Sequence, residues 1–365
     1  MQKQERIEWL DCFRALLIIA MVFGHTGSPF NTYIYLAHMP GFLVASGFIS
    51  YTSRKKHNMK EYMIRRTTSI LIPAILINCI FCLGYWFAMK CGVYSIIQEG
   101  EYTSLGKHIA DFFLNLRTEE IGGATWFLFV LFEVEVIFTC IDWVGAVIKN
   151  KFVKYGLCLI GGLVGYHLSV NKIILPYLLD LALLALLYYG IGYTIAEKNV
   201  LDKIERNTML PICLLLTVFF GSFWFKGRLP MNWPTRQFAD LFIQIVSCFA
   251  CLYLIYQLAI WISNQRFAKI FNMIGKKTYC ILILHFAVFK LIFLGCYWLG
   301  IGGISISYLK NLTPTDVLNA NGGWLLISIL TICICVEISN IAEENRWLNY
   351  LFNAKWNHKK RKEER

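Results

Sequence analysis

Apolar residues form long runs along the chain, and short polar segments separate them. About ten of these runs reach the roughly 17–25 residues that a helix needs to cross a bilayer. The predicted spans are 10–27, 33–52, 68–90, 124–148, 152–171, 173–196, 208–226, 238–262, 276–300 and 322–342. This pattern predicts an all-α, polytopic membrane protein, with a transmembrane domain over 1–345 and a basic tail over 346–365.

Composition supports the same fold class. Of the 365 residues, 57% are hydrophobic and only 16% are charged, whereas a soluble domain has a charged share of about 25%. Lys3 and Arg6 precede the first run, as they would precede a signal peptide. However, Asp11 and Arg14 lie inside the run and no small-residue cleavage site follows it, so we interpret it as a retained helix.

The distribution of positive charge predicts the orientation. Of 35 Lys and Arg residues, 25 lie in the terminal segments and loops that would share the side of the N-terminus, and 8 lie in the opposite loops. This bias predicts that both termini are cytoplasmic. The tail cluster Lys359–Lys362 is then an anchor beside anionic membrane lipid. The net charge of +12 therefore does not call for a nucleic-acid partner.

The thirteen cysteines do not predict a metal centre. Two pairs have the Cys-x-x-Cys spacing, Cys79 with Cys82 and Cys248 with Cys251. Both lie in apolar runs without flanking His or acidic residues, where cysteine acts as a small hydrophobic residue. We therefore expect no metal.

Ionisable residues inside the spans are the candidates for function, because a charge near the bilayer centre is costly and is usually kept for a site or pathway. They are Asp11, Arg14, His25, His38, Glu133, Glu135, Asp180, His285, Lys290 and Glu337.

Arg14 and His25 share one face of the first predicted helix. Eleven residues turn a helix by about 1,100°, within about 20° of three full turns, and raise it by about 16 Å. Arg14 would thus lie in the cytoplasmic half of the membrane and His25 near the outer surface. Simpler roles remain open, since Asp11 can neutralise Arg14, Arg14 can extend to the interface, and His25 can be a packing residue.

Four stretches together suggest a family. They are IEWLDCFRALLIIAMVFGH at 7–25, AHMPGFLVASGF at 37–48, ATWFLFVLF at 124–132 and IGKKTYCILILH at 274–285. In this order they resemble the integral-membrane acyltransferase 3 family, whose first helix carries an Arg and a His separated by ten residues. The second stretch is similar to the branch of fucose 4-O-acetylases and surface-polysaccharide O-acetyltransferases.

The resemblance implies an O-acyltransferase of the plasma membrane. Such an enzyme moves an acyl group, usually acetyl, from cytoplasmic acyl-CoA to a sugar hydroxyl of an extracytoplasmic or lipid-linked glycan. Acetyl-CoA would be the co-substrate. The oligomeric state, the sugar and the acyl chain stay open.

The resemblance also implies roles for individual residues. His25 would be the general base or the carrier of an acyl-histidine intermediate, and His38 would orient it or the acceptor. Arg14 and His285 would bind the donor. The acceptor would contact Trp126 and Asp11.

Each of these roles has a structural alternative. His38 can be a turn residue before Pro40, His285 a buried packing residue, and Trp126 part of the interfacial aromatic belt. Glu133 and Glu135 lie seven and nine residues after Trp126, and at most one of them faces a shared cavity.

Two loops add weaker expectations. The cations of the predicted inner segment 53–67 suit donor phosphates, although orientation alone would also explain them. The outer segment 91–123 would be a lid over the acceptor.

The rival function is a proton-coupled transporter or exporter of polysaccharide or a small solute. The spans of such a transporter would also hold Glu, His and Arg.

Overall fold

The protein is an all-α polytopic membrane protein. The computed structural model describes residues 8–99, 101–224 and 231–356. Within these ranges, eight helices are long and apolar enough to cross a membrane. They coincide with eight of the ten predicted spans. The first and the seventh predicted spans are shorter helices. Glu8–Gly24 has 17 residues, and the apolar helix Arg206–Ser222 also falls below 18 residues. The basic cluster Lys359–Lys362 and the predicted outer cations Lys226 and Arg228 lie outside the described residues.

The chain divides into two compact units, and the first contains residues 1–64 and 129–276. Its helices are α1 (Glu8–Gly24), α2 (Asn31–Lys56), α3 (Met59–Arg66), α7 (Trp126–Ile148), α8 (Lys151–Val170), α9 (Leu179–Lys198), α10 (Arg206–Val218), α11 (Leu241–Ser263) and α12 (Ala268–Lys276). The last residues of α3 and the first three of α7 belong to the second unit. A π-helical segment, Phe219–Trp224, continues α10. A short antiparallel hairpin then pairs β1 (Met231–Asn232) with β2 (Gln237–Phe238).

Close backbone contacts hold the centre of the first unit together. A Cβ atom added at Gly47 of α2 would overlap the carbonyl oxygen of Tyr189 on α9, and one added at Gly192 of α9 would overlap the carbonyl oxygen of Val44. Gly165 of α8 approaches the backbone of Leu184 on α9 in the same way. Small residues of this kind let membrane helices pack backbone to backbone. The helices α2, α8 and α9 therefore form a tightly packed centre.

The second unit contains residues 65–128 and 277–365. Its helices are α4 (Ile72–Lys90), α5 (Tyr94–Ile97), α6 (Leu105–Asn115), α13 (Thr278–Trp298), α14 (Asp316–Asn319), α15 (Gly323–Ala342) and α16 (Arg346–Asn353). A π-helical segment, Thr67–Leu71, precedes α4. The 3-10 segments are Glu120–Thr125, Ile301–Gly303, Ile306–Lys310 and Ala320–Gly322, and those of the first unit are Pro176–Leu178 and Leu201–Lys203.

The start of the predicted tail is a helix that packs on the second unit. Asn345 caps α16 by accepting hydrogen bonds from the backbone N–H groups of Trp347 and Leu348. Asn353, at the other end of α16, donates to the carbonyl oxygen of Ser339 on α15 at 3.0 Å. Residues 346–353 are thus attached to the membrane domain.

Candidate active site

The first helical hairpin brings His25 and His38 to the same end of the first unit. His25 lies in the turn directly after α1, where its backbone N–H donates to the carbonyl oxygen of Val22 at 3.1 Å. A methyl group on the adjacent Gly24 would lie 3.1 Å from Ile34 Cγ2. Ile34 is also the residue whose carbonyl oxygen bonds to His38. His25 and His38 therefore both lie close to the turn that joins α1 and α2.

His38 is buried in α2 and has a defined tautomer. Its Nδ1 lies 2.8 Å from the carbonyl oxygen of Ile34. A carbonyl oxygen only accepts, so Nδ1 carries the hydrogen and Nε2 keeps a lone pair. The Tyr35 ring packs edge-on against the imidazole, with centroids 5.2 Å apart. His38 is therefore a fixed imidazole whose Nε2 can accept a proton.

Arg14 and Asp11 lie on α1, which runs without a break from Glu8 to Gly24. Arg14 is half-buried near the middle of this helix, and Asp11 is buried one turn earlier. A Cβ atom at Gly275 of α12 would overlap the Asp11 carbonyl oxygen. The Cys12 thiol also donates to Asn272 of α12 at 3.3 Å. The contacts between α1 and α12 thus fix the segment that carries Arg14.

The other two candidates lie in the second unit. His285 is fully buried in α13, and its Nδ1 lies 3.1 and 3.0 Å from the carbonyl oxygens of Ile281 and Leu282. The next residue, Phe286, would be 3.6 Å from a methyl group on Gly123. Gly123 is three residues before Trp126, which is half-buried. The structure therefore brings the helix of His285 to the segment that leads into Trp126.

Arg54 is the best-bonded cation of the segment 53–67. It donates to Thr139 Oγ1 and to the carbonyl oxygen of Glu135 on α7, and its guanidinium lies 4.1 Å from the centre of the Tyr62 ring. Tyr62 in turn donates to the buried carboxylate of Glu135. Arg54 is thus used in packing, whereas Lys55, Lys56, Lys60 and Arg65 are exposed and available to phosphate.

A second cation, Lys154, is held beside this region on α8. Its Nζ lies 3.1 Å from Glu197 Oε1 and 3.7 Å from Asp142 Oδ1. It also lies 4.4 Å from the centre of the Tyr193 ring. From the sequence alone Lys154 is one of the 25 cations that predict the orientation, because its partners Asp142 and Glu197 are more than ten residues away along the chain.

A buried ion pair that the sequence does not reveal ties the turn between β1 and β2 to α9. Arg236 Nε lies 3.0 Å from Asp180 Oδ2, and Arg236 Nη2 lies 3.4 Å from Asp180 Oδ1. Trp233, in the same turn, packs 6.0 Å from the Tyr188 ring of α9. Asp180 was visible as a charge in a span, but its partner lies 56 residues further along.

The predicted lid segment 91–123 contains an ordered cluster. His108 Nδ1 lies 2.6 Å from Glu119 Oε1, and the His108 ring stacks on Tyr102 with centroids 4.5 Å apart. Burial, assisted by the negative charge of Glu119, raises the pKa of the Tyr102 hydroxyl. Lys290 of α13 donates to the carbonyl oxygens of Ile97 at 2.7 Å and Leu309 at 2.8 Å. The intramembrane lysine therefore ties two loops to α13.

Comparison with known proteins identifies the family. Residues 7–340 match the acyltransferase 3 family, whose domain is described as an acyltransferase domain. The match covers nearly the whole chain and includes Arg14, His25, His38, Trp126 and His285. The chain therefore belongs to this family and is a multi-pass membrane acyltransferase. No curated protein and no solved structure matches it.

Proposed function

We propose that this protein is an O-acetyltransferase of the cell membrane. It would transfer an acetyl group from cytoplasmic acetyl-CoA to a hydroxyl of an extracytoplasmic or lipid-linked glycan. The observation that carries the proposal is the first helical hairpin. It carries Arg14 in α1, His25 in the turn after α1 and His38 in α2, in a chain of the acyltransferase 3 family.

His25 is the general base in this mechanism. Its imidazole takes the proton from the sugar hydroxyl, and the hydroxyl oxygen attacks the thioester carbonyl carbon. The C–S bond then breaks, CoA leaves as the thiolate, and the proton on His25 returns to that sulfur. His38 orients His25 or the hydroxyl through Nε2, since its Nδ1 is committed to Ile34. In an acyl-histidine route His25 attacks the thioester carbonyl carbon, the C–S bond breaks, and CoA leaves with the imidazole proton. The sugar hydroxyl then attacks the acyl-imidazole, the bond between the acyl carbon and His25 breaks, and the hydroxyl proton passes to the freed imidazole.

Arg14 binds the donor in this proposal. Its half-buried guanidinium gains more from a phosphate than an exposed cation does, because charges interact more strongly away from water. His285 is a further candidate for donor binding, and Trp126 and Asp11 are the candidates for contact with the acceptor. Aromatic rings such as that of Trp126 offer a face on which a sugar ring can stack.

Thermal stability tests the donor site. At one hundred times its dissociation constant, a ligand stabilises the folded state by about 2.7 kcal/mol. We expect acetyl-CoA to raise the unfolding temperature of the purified protein in lipid nanodiscs, and Arg14→Ala to remove most of this rise. Arg266→Ala is the matched control, because Arg266 is an exposed arginine that lies outside both α1 and the segment 53–67. A transporter that does not use acyl-CoA would show no shift with any variant.

Glycan analysis tests the acceptor side and the base. A strain that lacks the protein should lose O-acetyl groups from its surface glycan, and the wild-type chain should restore them. His25→Ala should fail to restore them at equal expression, whereas His167→Ala, at an exposed histidine of α8, should succeed. Full acetylation with His25→Ala would contradict the assignment of the base. An acetyl adduct on His25 in the absence of acceptor would establish the acyl-histidine route.

A further inference from the structure

The first unit contains an apolar cavity that acetyl transfer does not require. Its volume is about 410 Å³, within the range of about 300–1,000 Å³ that is usual for small-molecule sites. The walls come from α1, α2, α10, α11 and the segment between α9 and α10. Representative lining residues are Leu10, Phe13, Ala45, Ile204, Ala250 and Tyr253. A cavity with such walls suits a hydrocarbon chain and not a sugar.

The cavity lies beside the candidate donor site. Leu10 lines it and precedes Arg14 by four residues, so the two side chains lie on the same face of α1. Phe13, the neighbour of Arg14, lines it as well. On α2, Ala45 also lines the cavity and follows His38 by seven residues, about 10 Å along the helix. A hydrocarbon chain on a thioester held at the two histidines can therefore extend inward into this space.

The segment between α9 and α10, which forms part of the cavity wall, also carries positive charge. Leu201 and Ile204 line the cavity, while Lys203 and Arg206, in the same stretch, are exposed. The orientation predicted from the charge distribution places this stretch on the cytoplasmic side. Cations beside an apolar cavity favour a ligand with an anionic head and a hydrocarbon tail.

Tyr253 adds a polar group to the wall. Its hydroxyl is buried and has no hydrogen-bond partner among the residues that the structure describes. A buried hydroxyl without a partner costs free energy that a ligand acceptor atom can recover.

We propose that this cavity binds the hydrocarbon chain of a fatty acyl-CoA, so that the donor site accepts acyl groups longer than acetyl. The inference rests on the proposed function, since it assumes that Arg14 binds the CoA portion. It assigns a chemical class to the donor: an anionic, phosphate-bearing head with an apolar chain. A membrane phospholipid has the same chemistry and is the alternative source of the chain.

A series of donors with increasing chain length tests the proposal. The unfolding temperature of the protein in phosphatidylcholine nanodiscs is measured with CoA and with acetyl-, butyryl-, hexanoyl- and octanoyl-CoA over a range of concentrations. Each added methylene that enters the cavity should tighten binding about fourfold, which corresponds to about 0.8 kcal/mol. Equal affinities for acetyl- and octanoyl-CoA would overturn the proposal and leave the proposed function intact. If none of these ligands, CoA and acetyl-CoA included, changes the unfolding temperature, the result contradicts both this proposal and the proposed function.

Substitutions that fill the cavity locate the chain. Ala250→Phe should abolish the gain from octanoyl-CoA and keep the shift with acetyl-CoA, which also shows that the variant is folded. Ala45→Leu fills the cavity from the α2 side and should act in the same direction. Leu258→Phe is the control, because Leu258 is exposed on the same helix and does not line the cavity. If Ala250→Phe and Ala45→Leu both bind octanoyl-CoA as tightly as the wild type does, the chain does not bind in this cavity.

A lipid competitor separates the two sources of the chain. Octanoyl-lysophosphatidylglycerol carries a chain of the same length on an anionic phosphate head. The proposal expects it to bind more weakly than octanoyl-CoA and to leave acetyl-CoA binding unchanged. Binding as tight as that of octanoyl-CoA, lost in Ala250→Phe, would instead assign the cavity to membrane lipid.

Discussion

Removal of the Asp180 carboxylate should destabilise the first unit strongly. Asp180 is 0% exposed and accepts hydrogen bonds from Arg236 Nε at 3.0 Å, Arg236 Nη2 at 3.4 Å and the backbone N–H of Leu175 at 3.2 Å. Asp180→Ala leaves the buried guanidinium without its counter-charge and the Leu175 N–H without its acceptor. Breaking a buried pair in this way costs about 3–5 kcal/mol. For a unit of this size that is a fall of about 6–20 °C in unfolding temperature.

The ion pair between Lys277 and Glu343 is the matched control. Its Nζ and Oε1 atoms are 2.5 Å apart, but the Glu343 side chain is 47% exposed. Lys277 is buried, but the half-exposed Glu343 carboxylate stays in contact with water, so this pair lies between an exposed pair, which contributes about 0–1 kcal/mol, and a buried one. Glu343→Ala should therefore lower the unfolding temperature less than Asp180→Ala does. The double variant Asp180→Ala/Arg236→Met should recover part of the loss, because no buried charge remains.

Scanning fluorimetry in nanodiscs, checked by size-exclusion chromatography, measures these changes. If Asp180→Ala and Glu343→Ala lower the unfolding temperature equally, burial of the pair has no special weight and the reasoning is wrong. If the double variant is less stable than Asp180→Ala, the guanidinium of Arg236 stabilises the unit through contacts other than Asp180.

Three further predictions concern packing and the loops. Gly47→Leu should abolish the folded, monodisperse protein on chromatography, since its side chain would overlap a carbonyl oxygen of α9, whereas Gly84→Ala should raise the unfolding temperature slightly because nothing lies within 4 Å. Lys290→Met should increase hydrogen exchange at residues 94–99 and 306–310 with little change elsewhere, since two carbonyl oxygens lose their donor. Tyr62→Phe should cost about 1–3 kcal/mol in unfolding measurements, because the buried carboxylate of Glu135 loses its phenol donor.

The spans could be predicted from the sequence because each is a local apolar run. Hydropathy placed all eight long helices, but it overestimated some lengths: the ninth span, predicted over 276–300, is the helix Thr278–Trp298, and the eighth, predicted over 238–262, begins at Leu241. The helix Glu8–Gly24 ends at a turn that contains Gly27 with φ of 67°, a conformation that favours glycine. The hairpin between β1 and β2 was not predicted, because the bond between Arg236 and Asp180 that holds it joins residues distant in the chain.

The candidate site was predictable only in part. Arg14, His25 and His38 could be proposed from the sequence because charges and imidazoles are rare in apolar runs. The partners that orient these groups could not be predicted, since the tautomer of His38 depends on its geometry against Ile34. Arg54 shows the opposite case: it looked like a loop cation suited to phosphate, but its bonds to α7 make it a packing residue.

The backbone contacts among α2, α8 and α9 have a consequence for how this protein can change during evolution. At Gly47, Gly165 and Gly192 every substitution introduces atoms into space that a neighbouring backbone already fills. The wall formed by α10 and α11, in contrast, consists of side chains that can be exchanged for larger or smaller ones. Mutations can therefore alter which molecules fit the cavity while the frame that carries His38 is conserved. Proteins with cavities of different shape can therefore arise from this one scaffold by a few point mutations.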